Sequence, residues 1–173
     1  MHKNYSIKLA FPAQLGAIPA IEQAAAQMFP ESDLPLELRY LVTEKVILRE
    51  AMQDENLWVA TGAENTPVGF AMMTTLDGNA HLDEMDVLPA HMRNGIGRRL
   101  LKIVVSQARD RGFRSLTLIT FRHLSWNAPF YARAGFAVVD PANYGDDVRK
   151  MLMADKAAGL DIGKRIVMSR NLQ

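Results

Sequence analysis

The sequence predicts one α/β domain built on a mixed sheet with helices on both faces. Three features predict it. Strand-like and helix-like periodicities alternate along the whole chain. Asp77-Gly78 stands between two strand-like runs and signals a tight hairpin. Downstream, "HLDEMDVLP" leads through a Gly-x-Gly turn into an amphipathic helix and then into "SLTLIT". A strand–helix–strand unit of this kind makes part of the sheet parallel.

Taken in order, "YSIKLAF" alternates weakly and opens as a strand. "IPAIEQAAAQMF" carries Ile18, Ile21, Ala25 and Met28 at helical spacing. "FPESDLPLEL" is a proline-interrupted acidic loop. "YLVTEKVILREAMQDE" predicts a second helix, with Leu41, Val42, Val46, Ile47 and Met52 as its apolar positions. "LWVAT" and "TPVGFAMMTTL" are strands, and "AHLDEMDVLP" is a third, ended by Pro89. A helix from about Gly95 to Arg111 buries Ile96, Leu100, Leu101, Val104, Val105 and Ala108, with Gly112 as its left-handed cap. After "SLTLIT", "APFYARAG" is a short helix with Pro129 in its first turn and Gly135 at its end. "FAVVD" is a strand, "DDVRKMLMADKAAG" a helix, and "KRIVMSR" the last strand.

The 173 residues suit a single domain spanning 1–173 with a sizeable core. A net charge of +1 gives no electrostatic footprint for nucleic acid. With no cysteine, the chain has no disulfide, no thiolate metal site and no thiol nucleophile, which suits a reducing cytoplasm. The polar start "MHKNYSIKLAF" does not read as a signal peptide, and no run reaches the roughly 18 apolar residues of a membrane span. His2, His91 and His123 show no ligand spacing, so no metal is expected.

The turn "HMRNGIGRRLL" poses a problem. Arg98 and Arg99 fall in the first turn of a helix, where the free N–H groups favour anions. A bound phosphate resolves it: backbone amides at a helix start bind one, and the arginines would be neutralised by it. Arg93 and Asn94 add a cation and a donor. A nucleotide-triphosphate loop would need Lys then Ser or Thr where Arg98-Arg99 stand. A dinucleotide fingerprint would need a glycine at Leu100 and an acid after the next strand. Neither is present.

"VLPAHMRNGIGRRLL" followed by "WNAPFYARAGF", about 40 residues on with a strand between, resembles the GNAT superfamily of N-acetyltransferases. The element order fits as well, so the resemblance covers nearly the whole chain. Met92 stands at the family's usual Arg/Gln position, with Arg93 one residue later, and Asn127 lies closer to Tyr131 than is usual.

The resemblance implies a mostly antiparallel twisted sheet with a splayed parallel pair, and acetyl-CoA as donor. It implies that the backbone of Met85, Asp86 and Val87 pairs with the pantetheine arm. The loop amides of Arg93, Asn94, Gly95, Ile96, Gly97, Arg98 and Arg99 would hold the pyrophosphate, with Asn127 and Tyr131 as further contacts. Homodimers are common in the family. A catalytically silent acetyl-CoA-binding module that senses or regulates is the alternative, and a phosphate-ligand binder unrelated to CoA is a third reading.

Acetyl transfer to an amine needs a proton acceptor, an oxyanion donor and a proton for the leaving thiolate. Strand alternation puts His81, Asp83, Met85 and Val87 on one face, and Leu82, Glu84, Asp86 and Leu88 on the other. Acids on an interior strand need a partner, water or a function. The resemblance favours Glu84 as base or water-positioner, with His81 as runner-up, and Tyr131 as the acid that protonates the thiolate. With no cysteine nucleophile, attack would be direct in a ternary complex. Glu31, Asp33 and Glu37 form an acidic loop without a cation among them, and with Asp83, Glu84 and Asp86 they would attract a cationic amine acceptor.

Overall fold

The computed structural model describes residues 4–173, so His2 lies outside the described residues. The helices and strands follow the expected order: β1 (Ser6–Leu9), α1 (Ile18–Ala26), α2 (Lys45–Gln53), β2 (Leu57–Thr61), β3 (Pro67–Leu76), β4 (Asn79–Val87), α3 (Ile96–Asp110), β5 (Ser115–Phe121), α4 (Ala128–Arg133), β6 (Ala137–Val138), α5 (Asp146–Ala157) and β7 (Arg165–Asn171). The strands run β1-β2-β3-β4-β5-β7-β6 in a seven-stranded sheet. It is mixed: β1–β2, β2–β3, β5–β7 and β6–β7 are antiparallel, and β4–β5 is parallel.

The chain divides into two compact units, one comprising the chain to Thr74 with Asp83–Val104, the other Thr75–Leu82 with Val105–Gln173. β4 and α3 each contribute residues to both.

In the first unit, α1 and α2 bury Ile18, Ile21 and Leu48 among Leu57, Val59 and Phe70 of the sheet. α2 corrects the sequence expectation. It begins only at Lys45, and Leu41, Val42, Val46 and Ile47 are exposed while Leu48 is the buried residue. The cause lies far off in sequence. Glu22 of α1 accepts from the Thr43 amide (3.1 Å to Oε2) and from its hydroxyl (2.5 Å). Leu41 and the cap Glu44 on either side are extended, and the helix starts after them. The helical spacing of the apolar residues upstream is therefore never used.

The second unit carries the three parallel pairs Ala80↔Leu116, His81↔Thr117 and Leu82↔Leu118, and the seven-residue ladder from Ser115↔Asn171 to Phe121↔Arg165. β6 is shorter than the run "FAVVD" suggests, pairing with β7 only through Ala137 and Val138. The hairpin turn is as read: Asp77 and Gly78 have φ of 50° and 74°, the doubly left-handed turn that Asp-Gly favours. Asp77 does further work. Its carboxylate accepts from the amides of Asp147 (2.9 Å) and Val148 (3.1 Å), capping the start of α5. Gly145 is required there, because a Cβ on it would collide with the Asp77 carboxylate.

Every residue of the predicted α3 stripe is buried, and Gly112 closes the helix with φ 81°. Among the described residues, no helix is long and apolar enough to cross a membrane.

Candidate active site

The loop before α3 is held from three sides. His91 closes a turn on Leu88 through its amide (2.8 Å), and its Nδ1 lies 3.0 Å from the Tyr5 hydroxyl. Leu88 donates its own amide to Val68 (2.8 Å). Asn94 braces the crest by donating Nδ2 to the carbonyls of His91 and Met92, both at 3.0 Å. Two residues then take left-handed backbone, Arg93 at φ 61° and Gly95 at φ 76°. Glycine costs nothing there, while arginine is strained.

α3 starts at Ile96, and the Arg99 amide already bonds Gly95 (3.1 Å). The amides of 95–98 precede the first intrahelical bond and have no acceptor within the helix. Arg99 turns out to have a protein partner: its guanidinium donates to the Tyr5 carbonyl (3.0 Å). Arg93 and Arg98 are exposed. Part of the arginine puzzle is thus answered by the protein itself.

The second half of β4 carries the acids. Glu84 and Asp86, two apart, share a face as alternation requires, and their side chains are hydrogen-bonded. β4 comes close to β3 here. A Cβ on Gly69 would lie 2.8 Å from the Asp86 carbonyl, so only glycine fits. Burial first, then the charge of Glu22, pushes Asp86 up to about 7, against the opposing hydrogen bond from Glu84. Glu22 is buried and is also raised by burial, against its bonds from Thr43. Surrounding protein raises Asp83 too, but its side chain is exposed and water screens the effect.

Glu22 is the residue the sequence reading passed over. The signal was present: it sits four residues after Ile18 and three before Ala25, a carboxylate inside the buried stripe of α1. Asp33 of the acidic loop does not face water. It is buried, and the buried Arg39 spans the same loop with bonds to Leu34 (3.1 Å) and Phe29 (2.8 Å). That leaves Glu31 and Glu37 as its exposed acids.

In the second unit, His81 is fully buried with Nδ1 2.8 Å from Thr117 Oγ1. Burial lowers it to about 4, against the charge of Asp77, so it is neutral and weakly basic at neutral pH. Tyr131 is buried on α4, its ring in edge contact with Phe130 and Phe136. Asn127 begins that helix. Its Oδ1 accepts from Thr120 (2.8 Å), but its buried Nδ2 has no hydrogen-bond partner among the described residues. A buried donor left unmade costs about 1–3 kcal/mol, so it is suited to an acceptor supplied from outside. No three metal-binding side chains converge among the described residues.

Residues 18–136 match the model of the acetyltransferase (GNAT) family. Streptothricin acetyltransferase of Streptomyces lavendulae is 36% identical over 89 residues, which is 49% of this chain and 46% of that protein. The chain therefore spans about half the length of that relative. PaiA N-acetyltransferase of Thermoplasma acidophilum, solved with coenzyme A, superposes at a TM-score of 0.70 with 18% identity, covering 97% of this chain and 99% of that one. N-acetylglutamate synthase of Neisseria gonorrhoeae, solved with coenzyme A and N-acetyl-glutamate, gives 0.74 at 17% identity, covering 100% of this chain and 36% of that one. These two likenesses establish the fold, and the family model, matched across most of the chain, establishes the membership: the chain belongs to the acetyltransferase (GNAT) family.

Proposed function

We propose that this chain is an N-acetyltransferase that passes the acetyl group of acetyl-CoA to a primary amine by direct attack, its 173 residues acting as one domain. The observation that carries the reading is the turn into α3, where two left-handed residues lead to helix-start amides with no internal acceptor. A pyrophosphate is the anion such amides suit. The buried Nδ2 of Asn127 supports the same donor, because the pantetheine arm carries amide carbonyls that it could serve. The backbone of Met85, Asp86 and Val87 is assigned to that arm, and the amides up to Arg98 to the pyrophosphate. PaiA N-acetyltransferase, which shares the fold, was solved with coenzyme A, and this supports the same donor.

In the reaction the amine nitrogen attacks the thioester carbonyl. The C–N bond forms, the C–S bond breaks, and its electron pair leaves on sulfur. Glu84 takes the amine's proton directly or through a water, and Tyr131 supplies the proton that the thiolate needs. Burial and the charge of Glu22 raise Asp86 to about 7, so beside Glu84 it is only partly ionised near neutral pH. His81 is left outside the mechanism, since burial has already made it a poor base.

Thermal shift with acetyl-CoA, CoA and ATP, followed by thiol release across a panel of amines, tests the reading. Stabilisation by both CoA species and thiol release with at least one amine are expected, and Gly97→Asp should abolish the stabilisation. Stabilisation without thiol release on any amine would replace the enzyme by a silent binding module. No stabilisation at all would remove the cofactor assignment.

A further inference from the structure

Residues 36–47 expose Leu36, Tyr40, Leu41, Val42, Val46 and Ile47, with Tyr40 and Leu41 two-thirds open to water at 66% and 67%. Large apolar side chains are normally exposed singly, and a cluster of them marks a surface that something covers. The run is anchored in a particular way. Its central residue, Thr43, is held through amide and hydroxyl by the buried Glu22 carboxylate. Gln23, next to Glu22, reaches the Tyr40 carbonyl at 3.5 Å. Glu22 acts electrostatically on Asp86, which is bonded to Glu84. The exposed apolar run is therefore hydrogen-bonded to Glu22, whose charge acts on Asp86 and, through the bond of Asp86, on Glu84, the proposed base.

We propose that this run receives the apolar body of the acceptor, and that the acceptor is an amphiphilic amine: a primary ammonium directed to Glu84, Asp86 and Glu22, carried on an alkyl or aryl body that covers Leu41, Val42 and Val46. The proposal rests on the acetyltransferase reading above. Charge complementarity selects the occupant. Carboxylates held near an apolar surface, Glu22 buried and Glu84 and Asp86 half-buried, suit a ligand that is cationic at one end and apolar along the rest. A polyamine, charged throughout, would leave the apolar residues uncovered and its inner cations desolvated against them.

The acceptor test uses thiol release from acetyl-CoA with n-alkylamines from propyl to octyl, with phenethylamine, and with spermidine. KM should fall about twofold to fourfold per methylene, since each one leaves water for an apolar surface, and spermidine should be the poorest cationic acceptor. The double variant Leu41→Ser with Val46→Ser alters only exposed side chains, so the melting temperature should hold. It should flatten the chain-length dependence, lowering kcat/KM at least tenfold for octylamine and leaving propylamine nearly unchanged. Calorimetric binding of octylamine in the presence of CoA is a readout that needs no turnover, and its heat-capacity change should be negative and lost in the variant. If no amine releases thiol but octylamine binds in this way, the catalytic reading fails and the apolar acceptor surface stands. Chain-length-independent KM and binding, preference for spermidine, or a variant that changes only the oligomeric state would each overturn the proposal.

Discussion

β4 carries two desolvated groups, His81 in its first half and Asp86 in its second, and burial acts on them in opposite senses of proton affinity. Both are driven toward the uncharged form. For the imidazole that means a value lowered to about 4, and for the carboxylic acid one raised to about 7. The surroundings separate them further. His81 has a hydroxyl partner across a parallel strand pair, Thr117 at 2.8 Å. Asp86 has two further carboxylates acting on it, one repelling and one hydrogen-bonded. One half of the strand has resolved its polar group internally. The other has gathered charge that only a cation or a proton relieves.

The sharpest way to break this comparison is to exchange the roles. Glu84→Gln should lower kcat/KM for an amine by about 10²–10⁴-fold, with acetyl-CoA affinity and melting temperature near the parent's. His81→Gln should do the reverse: reduced melting temperature, and turnover per folded molecule close to the parent's. A His81 variant that folds well and loses turnover would make the first half of β4 catalytic.

A second test concerns pH. Between about 4 and 6.5 the unfolded chain binds a proton at position 81 that the native His81 rejects, so its contribution to stability grows as pH rises. Between about 4 and 7 native Asp86 keeps a proton that the unfolded chain has lost, so its contribution falls over nearly the same window. The two oppose each other, and the parent's stability should vary little there on their account. Asp86→Asn should unmask a rise with pH, and His81→Gln a fall, each on the order of 3–4 kcal/mol across the window by denaturant titration. Parallel curves for the two variants would show that the groups are not desolvated in this way.

Gly69→Ala sharpens the second half alone. Its Cβ must displace the β4 backbone at Asp86, so a loss of ~1–3 kcal/mol is expected, with reduced turnover because the acids move with the strand. Unchanged stability would mean that β4 accommodates the methyl group, and that the close approach has no bearing on where the acids stand. The smallest effect lies beyond the other end of β4. Asp77→Ala removes the cap on α5 and should cost about 1 kcal/mol by thermal unfolding, with turnover per folded molecule unaffected.

What could be read from the sequence was what is local. The Asp77-Gly78 turn, the α3 stripe and the Gly112 cap are each decided within a few residues, and each stands where the pattern put it. The shared face of Glu84 and Asp86 follows from strand alternation alone. The start of α2 was not legible, because Glu22, 21 residues before Thr43, decides it. Nor was the engagement of Arg99, whose partner Tyr5 lies 94 residues away. The unpartnered amide of Asn127 depends on which way Thr120 turns its hydroxyl, a matter of rotamers that no spacing encodes. Glu22 was legible in principle, as an acid at a buried helical position, and only its partner was hidden.

The cap that Asp77 provides also bears on the order in which this chain folds. Two of the first-turn amides of α5 depend on a carboxylate presented 70 residues earlier by a hairpin turn. α5 carries Asp146 and Asp147 in its first turn, but no side chain of its own cap residue, Gly145, can close that end. Closing such a long loop is an entropic cost met only once the hairpin exists to receive the helix. The β3–β4 hairpin, built on a tight turn, can form from local contacts in microseconds. The first turn of α5 should therefore consolidate on the native side of the folding barrier. Removing the cap would then speed unfolding and leave the folding rate nearly untouched, making the C-terminal helix a clock for the completion of a turn far upstream.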